Sequence, residues 1–272
     1  VKINSAFELL SSAFKFQLSG FIPLPTLLLM KVLTIDVGGT HVKILLSGEK
    51  EPRKIPSGPA FTPRRLVEDV KKLAEGWKYA VISIGFPSPI HNNAPVAEPF
   101  NLGKGWVDFD YEKAFGCPVK MINDAAMQAL GSYKGGKMLF LGFGTGLGSA
   151  VVTDDALLPL ELGHLPFKKK TFEDYVGVHG LEKSGKDRWT KHVFETVEIL
   201  TAAILPDYVV LGGGNVKKLK ELPPACIAGD NANAFIGGFR LWEGPADSSS
   251  KPDPAIRKAA RATRSKKTAG KK

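Results

Sequence analysis

A chain whose apolar strands repeatedly end in glycine clusters is narrowly restricted in what it can build. Three such junctions occur in order here: DVGGT at residues 36–40, GFGTGLG at 142–148 and GGGN at 212–215. Glycine has no Cβ, so backbone N–H groups in these turns stand open to phosphate oxygens, and the threonine hydroxyls add donors. A single turn of this kind is ordinarily a hairpin tip. Three of them, with an acid closing the first strand, point to phosphate handling. No GxxxxGK[ST] occurs, and no GxGxxG opens a helix with an acid about twenty residues on, so neither a P-loop nor a dinucleotide fold is indicated.

Around these junctions, strands and helices are expected to alternate. Residues 31–37 and 42–46 form a hairpin with glycine at its tip, and 79–86, 119–123, 138–143 and 208–211 read as further strands, with Val151 and Val152 continuing beyond the second glycine turn. Thr62 and Pro63 open a helix with Leu66, Val70, Leu73 and Ala74 on one face, closed by Gly76. Further helices are expected over 124–133, over 187–205 with Val193, Val197, Leu200 and Ile204 inward, and over 231–241.

The chain ends differ from this body. Residues 1–29 carry few charges, and the apolar run Phe21–Met30 is broken by Pro23 and Pro25 with no small-x-small cleavage site; this reads as an unstructured extension ahead of a natural start at Met30. Residues 245–272 turn to Pro, Ala, Ser and Lys and read as a disordered basic tail. The net charge of +10 is concentrated there, since residues 251–272 hold nine Lys or Arg against the single acid Asp253. A body so nearly neutral gives little reason to expect a large polyanion-binding face, although the tail itself could touch polyanions weakly. The expected division is an N-terminal α/β domain over 30–122, a C-terminal α/β domain over 123–244 whose last helix packs back on the first, and the tail. The only cysteines, Cys117 and Cys226, form no CxxC or Cys/His cluster, and no run of about 18 apolar residues occurs. A soluble, cytoplasmic protein without a membrane span, a disulfide framework or a zinc site is expected.

DVGGT (36–40), NDAAMQALG (123–131), LGFGTGLGSA (141–150), ELGH (161–164) and VVLGGG (209–214), in this order from about Lys31 to Trp242, resemble the ROK family of sugar kinases within the actin-like ATPase superfamily. The compact length and ELGHLPF (161–167) are most similar to the polyphosphate-using glucokinases of that family. The resemblance implies a two-domain α/β fold of ribonuclease-H-like topology with the active site in the cleft. It implies transfer of a phosphoryl group from polyphosphate, ATP or both to the 6-hydroxyl of glucose, with Mg²⁺, by a homodimer.

The resemblance makes Asp124 the general base. Asn and Asp are also favoured helix caps at a strand-to-helix junction, so the residues alone leave a capping reading open for Asn123 and Asp124. Asn101, Asn123, Glu161, His164 and Glu173 match the family's sugar ligands. Asp36 matches the acid that holds Mg²⁺ through water. Gly38, Gly39 and Thr40 would face the transferred phosphate from one domain and Gly144, Thr145 and Gly146 from the other, with Gly213 and Gly214 on the nucleotide side. Lys43 reads either as a phosphate partner or as an exposed side chain, and Glu182 as a surface glutamate before a sugar contact. The cysteines that bind zinc in the wider family are replaced by KKKTFEDY (168–175), so no zinc is implied. His164 must then be oriented by another neighbour. Lys168, Lys169 and Lys170 beside it read as a solvated loop before a polyanion site. The rival function is a sugar-responsive regulator on the same fold, for which residues 1–29 are too short and proline-broken to supply a helix-turn-helix.

Overall fold

The computed structural model describes residues 30–243, and the expectations for 1–29 and for the basic tail lie outside them. Strands β1 (Val32–Val37), β2 (His41–Leu46) and β3 (Arg53–Pro56) form an antiparallel meander, followed by helix α1 (Pro63–Leu73) and strand β4 (Val81–Phe86). A small hairpin, β5 (Ile90–His91) and β6 (Ala94–Pro95), and helix α2 (Tyr111–Phe115) lead to β7 (Val119–Asn123) and helix α3 (Asp124–Ser132). A second meander follows in β8 (Met138–Phe143), β9 (Leu147–Val152) and β10 (Leu157–Leu160). After a 3-10 turn at Leu162–His164 come the short pair β11 (Pro166–Phe167) and β12 (Lys170–Thr171), then helices α4 (Phe172–Val176), α5 (Val178–Ser184) and α6 (Lys186–Ile204). Strand β13 (Tyr208–Gly212), a 3-10 turn at Val216–Lys218, strand β14 (Cys226–Ala228) and helix α7 (Asn233–Arg240) complete the described chain.

The two large sheets share one plan. The first runs β3-β2-β1-β4-β7 and the second β10-β9-β8-β13-β14. In each, a three-stranded antiparallel meander is extended by two strands parallel to its first member. The first two glycine junctions therefore occupy equivalent places, the β1–β2 and β8–β9 hairpin tips. The strand expectations hold closely, with 79–86 starting at Val81 and Val151–Val152 belonging to the full strand β9.

Burial follows from patterning. α1 begins at Thr62, whose hydroxyl accepts from the Arg65 N–H, with Pro63 in the first turn, and it turns Leu66, Val67 and Val70 onto the first sheet beside Trp106 and Phe86. α6 places Trp189, Val193, Val197 and Leu200 on one face of the second sheet. The opposite face of that sheet meets Ala126, Met127 and Ala129 of α3 and Ala234 of α7. α7 also packs on β1 and β4, so α3 and α7 form a layer between the sheets. Two glycines permit this close crossing: a Cβ on Gly131 would overlap the Asn233 carbonyl oxygen, and one on Gly237 the Met127 carbonyl oxygen. At its C-terminal end α7 is held to the first sheet: Ser83 Oγ donates to the Gly238 carbonyl and Trp242 Nε1 donates to Ser83 Oγ at 2.9 Å. Lys120 Nζ donates to the Leu241 carbonyl at 2.8 Å and lies over the Trp242 ring.

Candidate active site

The site is assembled from strand ends and turns. Asp36, last but one in β1, lies opposite Lys43 of β2, and the Lys43 ammonium is 3.7 Å from its carboxylate. The Lys43 side chain, 40% exposed, is thus partnered to Asp36 beside the first glycine turn. Burial raises the Asp36 pKa, and Lys43 opposes that shift. The β1–β2 turn is braced from outside by a residue that the motifs did not reveal: Ser57 Oγ donates to the Gly38 carbonyl at 2.6 Å. Gly38 N donates across the turn to His41 O, whereas Gly39 N and Thr40 N donate to no other backbone group among the described residues. The second turn repeats this arrangement. Gly144 N donates to Gly146 O, and the N–H groups of Thr145 and Gly146 are left open among the described residues.

The third turn is fastened to the second. Gly213 has φ +84, the left-handed region that a glycine enters without steric cost, and a Cβ there would overlap the Phe143 backbone. Asn215, 8% exposed, donates from its backbone to Phe143 O at 3.0 Å and from its side-chain amide to Gly144 O at 3.0 Å. Asn215 is thus a positioning residue, and its place immediately after GGG was the sequence signal for it.

Asn123 and Asp124 stand together at the start of α3. Asn123 is the cap of α3, its Oδ1 accepting from the N–H groups of Ala125 and Ala126 at 3.0 and 3.2 Å, while its amide nitrogen faces the Ser88 carbonyl at 3.5 Å. Asp124 opens the helix, and its Oδ1 accepts from Ala125 N at 2.7 Å. Burial pushes the Asp124 pKa up to about 7, reinforced by the Asp36 and Glu161 charges and opposed by backbone hydrogen bonds. The Asp36 and Glu161 carboxylates therefore lie near enough to act on it.

On the far side stands ELGH. Ser149 Oγ donates to Leu160 O at 2.7 Å and accepts from Leu162 N at 3.1 Å, which fixes the loop carrying Glu161 into its 3-10 turn. The neighbour that orients His164 is Glu173, with Nε2 to Oε1 at 3.6 Å. The Glu161 pKa is raised chiefly by burial, with His164 lowering it and Glu173 raising it, so the three groups form one electrostatic cluster. Glu173 also abuts the second glycine turn, since a Cβ on Gly146 would overlap its carboxylate region. Asn101 reaches the first turn from a loop knotted on itself, where Glu98 accepts from Gly105 N and Trp106 N and the Trp106 indole donates to Gly103 O. The Asn101 Cβ lies against Gly39.

Three basic residues near this cluster are otherwise engaged or open. Lys168 pairs with Glu195 on α6, Lys170 pairs with Asp174 at 3.7 Å, and Lys169 is exposed. Two of the three lysines are thus paired with carboxylates. Glu182 is exposed and faces His179 at 3.6 Å, in keeping with a surface role. No group of three or more His, Cys, Asp or Glu able to hold a metal is present among the described residues, nor is any helix there long and apolar enough to cross a membrane.

Two sheets of one plan, open glycine turns on equivalent hairpins and a shielded carboxylate between them define a fold of the actin-like sugar-kinase type. The sequence model of the ROK family matches residues 32–180, and the chain belongs to that family. A polyphosphate glucokinase of Mycobacterium tuberculosis is 27% identical over 215 residues, covering 70% of this chain and 80% of the relative. An N-acetylmannosamine kinase of Citrobacter koseri is 32% identical over 148 residues, covering 47% and 50%. Among solved structures, an inorganic polyphosphate/ATP-glucomannokinase from Arthrobacter sp. strain KM superimposes with a TM-score of 0.66 at 23% identity, over 78% of this chain and 98% of that one. A ROK transcriptional regulator, a homologue of E. coli MLC, superimposes with a TM-score of 0.62 at 15% identity, over 85% and 78%.

Proposed function

We propose that the protein is a glucokinase that moves the terminal phosphoryl group of polyphosphate or ATP onto the 6-hydroxyl of glucose. The observation that carries this reading is the position of Asp124, a carboxylate with its pKa near 7 set between Asp36 of the phosphate turn and Glu161 of the ELGH loop. A base of that pKa is matched to neutral pH, where it can take the hydroxyl proton as the oxygen attacks phosphorus. Phosphoryl transfer otherwise demands positioning and charge neutralisation. The open N–H groups of Gly39, Thr40, Thr145 and Gly146 supply donors for the phosphate oxygens, with Gly213 and Gly214 lining the donor side. Asn101, Glu161, His164, Glu173 and the Asn123 amide offer both donors and acceptors to a ring of vicinal hydroxyls, and Glu173 holds His164 in place.

Asp36 presents a hard oxygen ligand beside a second carboxylate, a donor chemistry that suits Mg²⁺ held through water. The metal would neutralise phosphate charge; Lys43, 3.7 Å from the Asp36 carboxylate, opposes the rise in its pKa that burial causes. The division at 122/123 follows from the same reading, with Asn123 at the junction of the two α/β units. A coupled assay for glucose 6-phosphate, run with ATP and with polyphosphate, is expected to show turnover with at least one donor. No turnover with either overturns the reading and leaves the sugar-responsive regulator that similarity to a ROK transcriptional regulator brings forward.

A further inference from the structure

The segment joining β13 to β14 is unusual for a connection between parallel neighbours. Such crossovers are commonly built around an α-helix. Here residues 213–225 contain only the 3-10 turn Val216–Lys218 before a stiff Pro223–Pro224 step. The segment carries no aromatic ring on which a base could stack, and it carries Lys217, Lys218 and Lys220, all exposed. None of the three has a carboxylate within salt-bridge distance among the described residues, in contrast to Lys168 and Lys170. Their position is fixed by Asn215, which is bonded to Phe143 and Gly144 of the second glycine turn and whose carbonyl accepts from Lys218 N at 2.9 Å. At about 2 Å of rise per residue, Lys217 and Lys218 leave the backbone within two or three steps of the phosphate turns.

Resting on the kinase reading above, we propose that Lys217, Lys218 and Lys220 form a donor-specificity clamp that holds the distal phosphates of a linear polyphosphate and favours that donor over a nucleotide. The glycine turns hold the terminal phosphates through neutral N–H groups, which serve any phosphoryl donor alike. A chain of phosphates continuing beyond Gly214 keeps a negative charge at every step, and three unpaired ammonium groups one short turn away meet that charge. A nucleoside at the same place would set a neutral sugar and base against them. Lysine is suited to this because its flexible point charge follows a sliding chain and requires no fixed fork geometry.

The test uses the full chain with glucose, comparing long-chain polyphosphate with ATP as donors. In the variant Lys217→Ala/Lys218→Ala/Lys220→Ala, the ratio of KM for long-chain polyphosphate to KM for ATP is expected to rise about tenfold, and the slope of log KM for polyphosphate against log salt to fall by about 2. Arginine at the three positions should restore the ratio, and removing three exposed charges elsewhere, with Lys50→Ala/Lys72→Ala/Lys78→Ala, should leave it unchanged. An unchanged ratio in the first variant, an equal rise in the second, or a wild-type protein that uses ATP but not polyphosphate overturns the clamp. If the wild type phosphorylates glucose with neither donor, the kinase reading fails. The clamp is then judged by calorimetric titration of long-chain polyphosphate alone, which must bind about tenfold more weakly to the lysine variant; equal binding overturns it.

Discussion

Asp124 is where chemistry and stability oppose each other. With a pKa of about 7, the base role proposed for Asp124 predicts loss of the base as pH falls, so log kcat/KM should decline with a slope of one below neutrality and level off above it, measured as a pH–rate profile. Asp124→Asn keeps the shape and an oxygen for the Ala125 N–H but removes the base, and turnover should drop by about 10²–10⁴. Stability should move the other way. The folded pKa lies above the ordinary 3.8, so between that value and about 7 the native state keeps a proton that the unfolded chain has released, and stability falls as pH rises through the window. An Asn never charges; at pH 8 the variant should be more stable by about 1–2 kcal/mol, and at pH 3 no more stable than wild type, in denaturant melts. That Asn123 is the cap was visible in the sequence only as an ambiguity, because a cap and a base favour the same residue types. The Asp36–Lys43 pair was within reach, since a hairpin about Gly39–Thr40 sets those positions opposite each other. The contact between Asn101 and Gly39 was not, because it depends on how loop 98–106 folds on itself.

Among elements, the α3–α7 crossing is the most exacting. Alanine at Gly237 would drive a methyl into the Met127 carbonyl, with backbone on both sides and no flexible side chain to yield. Overpacking of this kind costs about 1–3 kcal/mol, so Gly237→Ala should lower the thermal midpoint by several degrees in a calorimetric scan, while alanine at Gly214, where a Cβ meets nothing, should not. The helix itself was legible as residues 231–241, and the structure trims it to Asn233–Arg240. Less legible were β3, β10 and β14. All three lie at sheet edges, where one side of the strand makes no ladder and alternation of burial weakens. β10 even contains Pro159, tolerated because an edge position need not donate. The repeated sheet plan was thus readable at its centre, where strands are continuously apolar, and faint at its margins.

At the scale of the molecule, the two sheets are tied through α7, whose trailing end grips β4 by way of Ser83 and Trp242. Trp242→Ala removes the indole from Ser83 and from the face of Lys120, and should speed amide hydrogen exchange in β4 and β7 more than in β8 and β13, read by mass spectrometry on peptide fragments. Sequence distance is what hid this tie, for Ser83 and Trp242 are 159 positions apart. That separation has a consequence during synthesis. Residues 32–123 can assemble the first sheet early, but α7, which packs on β1 and β4, is the last of the described elements to be made, so part of an apolar surface waits bare while the second sheet is still being made. A chain stalled just before residue 233 would hold every described strand but only α3 of the layer between the sheets, and it is that intermediate, more than the finished protein, which chaperones would be called on to shield.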